Sequence, residues 1–262
     1  MGILNVTPDS FSDGGRFSDL SKAVDHAERM CEAGAEIIDV GGESTRPNAE
    51  PVSAADEIAR VVPVIEAIRS RLGTLISIDT QKPAVARAAL AAGASIVNDI
   101  AANRESPAMW EIVAENRAGY VAMHMLGTPQ TMQVEPRYDD VVAAVKDFFA
   151  DRLTRFKAAG MTEDQTALDV GIGFGKTLEH NLQLLASLRT FTNFQRPQLL
   201  GVSRKSLFSK LLGLEVDERQ APGIAVAGWA VLNGVQILRV HDVSPSVHAL
   251  RTLEAIVGIS AT

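Results

Sequence analysis

The chain has 262 residues, of which 46% are hydrophobic and 22% charged, and its formal net charge is −7. Proteins that hold nucleic acid through its phosphates are usually basic, so the acidic balance argues against that class of partner. The single cysteine excludes an internal disulfide, no apolar run reaches the roughly 18–20 residues that span a bilayer, and the N-terminus lacks the basic start of a signal peptide, so we expect a cytoplasmic protein without a membrane partner.

Eight short apolar segments, each ending on polar residues, are predicted to be strands. They are residues 3–6, 37–40, 75–79, 96–99, 120–124, 166–169, 199–202 and 237–240. Helix patterns lie between them, and Gly34, Gly93 and Gly234 stand where a left-handed helix end is expected. Eight strand–helix units in a chain of this length predict one α/β domain over residues 1–262, a (β/α)8 TIM barrel. A doubly wound open sheet is the alternative, but no Gly-x-Gly-x-x-Gly turn follows the first strand.

Two of the helices carry start signals. The helix before the third strand is expected to begin after Ser53 as its N-cap and to be kinked at Pro63. The last helix is expected to use Ser244 as its N-cap and Pro245 as its first helical residue.

Polar residues stand at the carboxyl end of every predicted strand, which is the end where barrels build their active sites. They are Asn5, Asp39, Asp79, Asn98, Asp99, His124, Asp169, Ser203, Arg204, Lys205, Arg239 and His241. The cations gather at the last two strands, where barrels commonly bind phosphate, so an anionic and phosphorylated substrate is predicted there. The alternative is that these cations pair with nearby carboxylates at the surface.

Three polar residues at the ends of strands 3, 4 and 6 suggest the other half of the substrate. Asp79, Asn98 and Asp169 lack the His and Cys spacing of a zinc site. Buried acceptors of this kind need donors. A planar heterocycle with an amino group and ring N–H groups would supply them, while Lys205 donates to its carbonyl. Alternatively, Asp79 and Asp169 are a general acid/base pair, as in glycoside hydrolysis.

Two glycine-containing loops follow the first two strands, at residues 7–15 and 41–47, and both have the polar tips of mobile active-site loops. Two ordinary connections are the alternative. A third glycine loop, residues 171–176, lacks the Walker pattern of a nucleotide-binding turn.

The long segments GILNVTPDSFSDGG (residues 2–15) and GGESTRP (residues 41–47) resemble the two signature segments of the dihydropteroate synthase family. The resemblance continues in order through short motifs at residues 77–80, 97–100, 123–125, 173–176, 203–206 and 239–242. It implies a (β/α)8 barrel that joins 6-hydroxymethyl-7,8-dihydropterin pyrophosphate to p-aminobenzoate, releases pyrophosphate, uses Mg²⁺, forms a homodimer and is a target of competing sulfonamides. An SN1-like path, with the magnesium and the cations stabilising the departing pyrophosphate, is the expected mechanism.

By the same resemblance, each part of the substrates has its residues. The pterin ring is expected to be held by Asp79, Asn98, Met123, Asp169 and Lys205. The pyrophosphate is expected to be held by Asn5, Arg239 and His241, and the magnesium by Asn5 and Asp9. The p-aminobenzoate site is expected to be shaped by Phe11, Thr45, Arg46, Pro47, Phe174 and Ser206. The residues expected to be catalytic are Asp79, Lys205, Arg239 and His241.

The chain departs from the family pattern in two places. Asp169-Val170-Gly171 stands where the family commonly has Asp-Pro-Gly, and we expect Val170 to loosen that turn while the carboxylate is kept. The chain also opens directly on the first strand, so the short segment that usually precedes it in the family is expected to be missing. The rival functions are a pterin-binding methyltransferase barrel and a non-catalytic pterin-binding homologue.

Overall fold

The structure, a computed structural model, describes residues 1–6, 15–44, 50–102 and 106–258. Its strands run in parallel and each pairs with the next along the chain. They are β1 (Gly2–Asn5), β2 (Ile37–Gly41), β3 (Leu75–Asp79), β4 (Ile96–Asp99), β5 (Gly119–Met123), β6 (Thr166–Asp169), β7 (Gln198–Leu200) and β8 (Ile237–Leu238). The last strand returns to the first, because Gly2 pairs with Val240 and the Ile3 N–H donates to the Val240 carbonyl at 3.0 Å. The predicted (β/α)8 barrel is confirmed.

Helices surround this barrel. Within the described ranges they are α1 (Gly15–Glu32), α2 (Ala54–Arg71), α3 (Pro83–Ala91), α4 (Ala108–Asn116), α5 (Val141–Ala158), α6 (Leu178–Ala186), α7 (Leu207–Leu212), α8 (Gln220–Leu232) and α9 (Val243–Val257). In this part of the chain, no helix is both long and apolar enough to cross a membrane.

Three helices end as the repeated glycines predicted. Gly34, Gly93 and Gly234 have φ angles of 99°, 116° and 90°. This left-handed region favours glycine, which has no Cβ to clash. After α1, the N–H of Ala35 reaches back to the carbonyl of Met30 at 2.9 Å. The chain therefore turns directly from helix into strand.

Two predictions about helix starts have different outcomes. The Ser53 hydroxyl caps α2 by accepting from the Asp56 N–H at 3.1 Å, as predicted, and α2 continues without interruption through Pro63. The prediction for the last helix is wrong, because α9 begins at Val243 with Asp242 as its N-cap, and no side chain supplies the cap hydrogen bond. Pro245 is tolerated within that first turn, where backbone N–H groups have no partner inside the helix.

The predicted seventh and eighth strands are too long at their carboxyl ends. Only two residue pairs join β6 to β7, and two more join β7 to β8. Residues 201–206 and 239–242 therefore lie beyond the regular pairs of β7 with its neighbours, although Val240 still bridges to Gly2. These two segments contain six of the residues predicted at the barrel mouth: Ser203, Arg204, Lys205, Ser206, Arg239 and His241.

Candidate functional site

The alternation of side chains along the strands places the polar residues over an apolar layer inside the barrel. Val121, Ala167 and Leu199 form a buried apolar cluster with Ile96 and Ile237 packed against it. Side chains two positions apart on a strand share a face. Two positions further along their strands lie Asn98, Met123, Asp169, Gly201 and Arg239. The structure thus brings predicted site residues from β4, β5, β6 and β8 to one mouth of the barrel.

Arg239 is bonded to two carboxylates across this mouth. Its Nε lies 2.6 Å from Asp39 Oδ2 and its Nη2 lies 2.6 Å from Asp79 Oδ2. Asn98 Nδ2 donates to the same Asp39 oxygen at 3.1 Å. Arg239, predicted within a group of cations for an anionic substrate, is therefore itself paired with carboxylates. Asp39 of β2 and Asp79 of β3 thus balance the positive charge of Arg239, which follows β8.

Arg204 also pairs with a carboxylate, which is the alternative to a phosphate-binding role that the sequence left open. Its guanidinium makes two hydrogen bonds to the carboxylate of Asp242, at 2.6 and 3.1 Å, and its side chain is 43% exposed. Arg204 therefore lies in a surface ion pair with a local carboxylate. The ammonium of Lys205, the next residue, instead donates to a carbonyl of the loop after β6.

Burial dominates the protonation of Asp79. It raises the pKa of this carboxyl to about 7, against the opposing effect of Arg239 and with smaller contributions from the charges of Asp39, Glu57 and Asp99. Asp79 Oδ1 and Asp39 Oδ1 are both buried without a hydrogen-bond partner among the described residues. A buried oxygen without a donor is costly, so Asp79 Oδ1 is suited to accept an N–H group from a ligand, whereas Asp39 is fully buried behind it.

Lys205 and Asp169 form the opposite side of the mouth. Lys205 Nζ donates to the carbonyl of Ile172 and lies 4.4 Å from the centre of the Phe174 ring. Burial lowers the pKa of Lys205 to about 8, although the charge of Asp169 opposes this. Burial likewise raises the pKa of Asp169, and the charge of Lys205 opposes it. The two groups are thus a half-buried donor and a buried acceptor at the same side of the mouth.

The turn after β6 is held by its flanking residues. Asp169 Oδ1 accepts from the Gly171 N–H at 2.8 Å. Gly171 has a φ of +69°, and a Cβ at this position would overlap the carbonyl oxygen of His124. Val170 is buried between them. The geometry of the Asp169 carboxylate therefore depends on the glycine at 171, and Val170 contributes packing.

Apolar side chains line the wall between these polar groups. A buried cluster contains Met123, Met125, Met132, Ile100 and Ala101, and Phe174 packs against it. Phe174 thereby joins this cluster, which contains Met123, to the ammonium of Lys205. Ser206 stands apart from this wall, exposed at the N-cap of α7.

The remaining predicted residues lie around the rim. Asn5 is exposed at the end of β1, and Gly41 separates its side chain from Asp79, since a Cβ on that glycine would lie 3.6 Å from both. His241 Nδ1 is 3.1 Å from the hydroxyl of Ser203. Five predicted residues lie outside the described residues: Asp9, Phe11, Thr45, Arg46 and Pro47. Across the described ranges, no group of three His, Cys, Asp or Glu side chains is placed to hold a metal ion.

Sequence reasoning gave no role to several buried polar residues near the site. The sequence marks Asp39 only as the end of a strand, yet its carboxylate accepts hydrogen bonds from both Arg239 and Asn98. Lys176 is 1% exposed and contacts His124. Neither the motif at residues 123–125 nor the motif at residues 173–176 indicates this contact. For Asp39, a usable signal was its position two residues before the first glycine of the second signature segment, which places it on the inner face of β2.

A second ion cluster, built around the fully buried Glu57, lies beyond the carboxyl end of β2. Lys82 Nζ is 2.7 Å from Glu43 Oε2 and 2.6 Å from Glu57 Oε2. The other oxygen of Glu43 accepts from the Val52 N–H at 2.8 Å. Glu43 therefore joins the chain on both sides of residues 45–49 to the start of α3.

Comparisons with known proteins give this site a context. A family model described as "Pterin binding enzyme" matches residues 1–241. The chain is 50% identical over 255 residues to a dihydropteroate synthase of Escherichia coli strain K12, which covers 97% of this chain and 90% of that protein.

Solved structures agree with the family match. A Yersinia pestis dihydropteroate synthase in complex with a sulfonamide drug aligns with a TM-score of 0.92 at 46% identity, covering 98% of this chain and 93% of that one. A Xanthomonas albilineans dihydropteroate synthase in complex with 7,8-dihydropteroate aligns with a TM-score of 0.88 at 40% identity, covering 99% and 93% of the two chains.

Proposed function

The chain belongs to the dihydropteroate synthase family of pterin-binding enzymes, and we propose that it joins 6-hydroxymethyl-7,8-dihydropterin pyrophosphate to p-aminobenzoate. The products are 7,8-dihydropteroate, a precursor of folate, and pyrophosphate. The observation that carries this proposal is the arrangement at the barrel mouth, with the buried Asp79 and Asn98 on one side and the buried Asp169 beside the half-buried ammonium of Lys205 on the other.

A pterin ring complements that arrangement. Its amino group and ring N–H groups are donors for the carboxylates of Asp79 and Asp169, and its carbonyl is an acceptor for the ammonium of Lys205. Asp79 Oδ1, which has no donor among the described residues, is an available acceptor. The methionine wall around Met123 supplies an apolar surface for the face of the ring.

The pyrophosphate belongs at the ends of β1 and β8, where Asn5, Arg239 and His241 lie. Arg239 is bonded to Asp39 and Asp79 in the structure, and a guanidinium has further N–H groups for an anion. Fixed positive charge here stabilises the charge that grows on the leaving group. The bond between the pterin methylene carbon and the pyrophosphate oxygen breaks, and its electron pair leaves with the oxygen.

The second half of the reaction does not require a strong general base from the protein. The pterin ring delocalises the positive charge left on its methylene carbon, the neutral amine of p-aminobenzoate adds to that carbon, and the nitrogen then loses a proton. Phe174, which packs against the methionine wall, and Ser206, at the N-cap of α7, are proposed to contact this substrate. The residues of the two signature loops are proposed to complete the site and to exclude water that would otherwise capture the cation.

We propose Mg²⁺ as the cofactor, held by Asn5 and Asp9 together with oxygens of the pyrophosphate. Oxygen donors suit this cation, which usually keeps several waters and binds through a few protein ligands and substrate phosphates. Asn5 is exposed at the mouth beside the buried Asp79, so the donor chemistry present fits the ion. When bound, the ion supplies positive charge that neutralises the leaving group.

We also propose a homodimer in the cytoplasm. The single cysteine, Cys31, is a free thiol, which suits a reducing compartment. Exposed apolar side chains lie on the last three helices: Leu211, Leu212, Trp229, Leu232, Ile256 and Val257. Apolar surface of this kind is typical of faces that are covered by a partner.

One assay tests the proposed function. Purified protein is mixed with the pterin pyrophosphate, p-aminobenzoate and Mg²⁺, and dihydropteroate and pyrophosphate are measured. We expect both products in equal amounts, with chelation of the metal and addition of a sulfonamide each lowering the rate. Folded protein that binds the pterin but releases no pyrophosphate would instead identify the non-catalytic homologue, and methyl transfer to a corrinoid would identify the rival barrel enzyme.

The roles of two buried groups can be tested in the same assay. We expect Lys205→Ala and Asp169→Ala each to lose most activity, because each removes one of the charged partners of the pterin ring. Circular dichroism should show that both variants remain folded. Near-normal turnover in either variant would contradict its assignment.

A further inference from the structure

The loop between β6 and α6 has four consecutive carbonyls that each accept a hydrogen bond from a side chain. Lys205 donates to Ile172 O, Gln133 to Gly173 O at 2.8 Å, Lys176 to Phe174 O at 2.9 Å and Tyr138 to Gly175 O at 2.9 Å. Loop carbonyls normally face water. Here, each carbonyl has a side-chain donor: Lys176 of the loop itself, Gln133 and Tyr138 of the connection between β5 and α5, and Lys205 after β7.

Lys176 is the most deeply buried of the four donors. Its side chain is 1% exposed, and its ammonium also contacts His124 Nδ1 at 3.0 Å and the His124 carbonyl at 3.2 Å. No carboxylate in the described part of the chain lies within ion-pair distance of it. Burial lowers the pKa of Lys176 to about 7; the charge of Asp169 raises it to a smaller extent, and the charge of Lys205 lowers it further. An amine kept here without a counter-ion is costly, and its bonds connect the loop to the end of β5.

The loop that Lys176 holds is the support of Lys205. The Lys205 ammonium donates to the carbonyl of Ile172 and lies over the ring of Phe174, so both of these contacts come from the loop. The carbonyl of Phe174 is itself an acceptor for Lys176. A shift of the loop would therefore move the groups against which Lys205 is placed, while leaving β7 unchanged.

We propose that Lys176 and Tyr138 are positioning residues for the pterin site. They hold the carbonyls of residues 174 and 175, and through the loop they set where the Lys205 ammonium meets the carbonyl of the pterin ring. This inference rests on the proposed function, because it assigns Lys205 a ligand that the assay above must first establish.

The first test is Lys176→Met, with the same substitution at the exposed Lys146 of α5 as its control. In the steady-state assay we expect Lys176→Met to raise KM for the pterin pyrophosphate about 10-fold or more, with kcat within about threefold, because binding in the ground state is what the support provides. A merely structural role would lower the active fraction, and so the apparent kcat, without changing KM. Lys146→Met should match the wild type.

Tyr138→Phe removes one hydroxyl and keeps the ring, so it tests the loop even if Lys176→Met does not fold. We expect a rise of about threefold in the same KM, in line with the loss of one hydrogen bond. An unchanged KM in Tyr138→Phe, or in folded Lys176→Met, would overturn the inference while an active wild type leaves the proposed function intact.

A double-mutant cycle tests the route through Lys205. The dissociation constant of the pterin pyrophosphate, measured by calorimetry, is compared for Lys176→Met, Lys205→Met and the double variant. We expect the effect of Lys176→Met largely to disappear once Lys205 is replaced, because coupled residues are not additive. Additive effects would show that Lys176 does not act through Lys205, whereas a wild type that binds no pterin would contradict the proposed function itself.

Discussion

Arg239 is bonded to two buried carboxylates, and this pairing bears on how an anionic substrate would bind. Burial alone would lower its pKa, but the charges of Asp39 and Asp79 more than compensate and raise it above its ordinary value, so the guanidinium stays charged at every physiological pH. The carboxylates hold the side chain in one place before any substrate arrives. Part of the entropy cost of ordering this long side chain is therefore incurred on folding and not on substrate binding, as in other preorganised sites.

Two residues of the site have pKa values close to neutrality, and a pH dependence follows from them. Asp79 has a pKa of about 7 and is the stronger acceptor of N–H groups when ionised, so pterin affinity should fall as the pH drops below about 7. Lys205 has a pKa of about 8 and is best as a donor when protonated, so affinity should fall again above about 8. Pterin affinity should thus be greatest between these two values, which calorimetry from pH 5.5 to about 9.5 would measure.

Variants assign the two limbs of that profile. Asp79→Asn should flatten the acid limb and Lys205→Met the alkaline limb. The acid limb needs this control because Lys176 also has a pKa of about 7, and because Arg239, Asp39, Glu57 and Asp99 surround Asp79 with further charges. An acid limb that survives in Asp79→Asn would place the titrating group elsewhere.

At the scale of elements, the cluster of Glu43, Glu57 and Lys82 joins the end of β2 to α2 and to the start of α3. Burial alone would lower the pKa of Lys82, but its bonds to the two carboxylates raise it. Lys82→Met would leave the fully buried Glu57 without its cation. Loss of one partner of a fully buried pair costs about 3–5 kcal/mol. Because the Lys82 side chain is 23% exposed, we expect the free energy of unfolding in urea at pH 7 to fall by less, about 2–3 kcal/mol.

A matched control lies on the same helix. Arg87 of α3 pairs with Glu115 at 3.1 Å, but both side chains are largely exposed, at 60% and 58%. Exposed pairs contribute about 0–1 kcal/mol, so Arg87→Met should leave stability nearly unchanged. Equal effects of the two substitutions would mean that burial does not set the strength of the Lys82 contacts.

The elements themselves were largely predictable, because they depend on local patterns. Short apolar segments ending on polar residues marked all eight strands, and glycines such as Gly93 marked helix ends whose backbone requires a positive φ. The start of α9 was not predictable from its Ser-Pro signal. Asp242, two residues before Ser244, already occupies the cap position while its carboxylate bonds Arg204. Local signals therefore locate an element better than they locate its first residue.

At the scale of the whole molecule, the site depends on contacts that no local pattern encodes. The bonds from Arg239 to Asp39 and Asp79 join residues 200 and 160 positions apart. The residues at the mouth could be predicted, because parallel strands end on the same side of a barrel. Which cation pairs with which carboxylate could not, because it depends on the closure of the barrel and on depth of burial.

The exposed apolar side chains of the last helices lead to a prediction about assembly. Trp229 of α8 is 49% exposed although its indole N–H donates to Leu185, and Leu232 on the same helix is 41% exposed. Burying both against a second copy would remove apolar area from water, which favours association. We expect the wild type to elute at twice the chain mass in size-exclusion chromatography with light scattering, and Leu232→Lys to shift it towards one chain mass. Lys146→Met is the control that should remain a dimer, and a wild type of one chain mass at all concentrations would contradict the prediction.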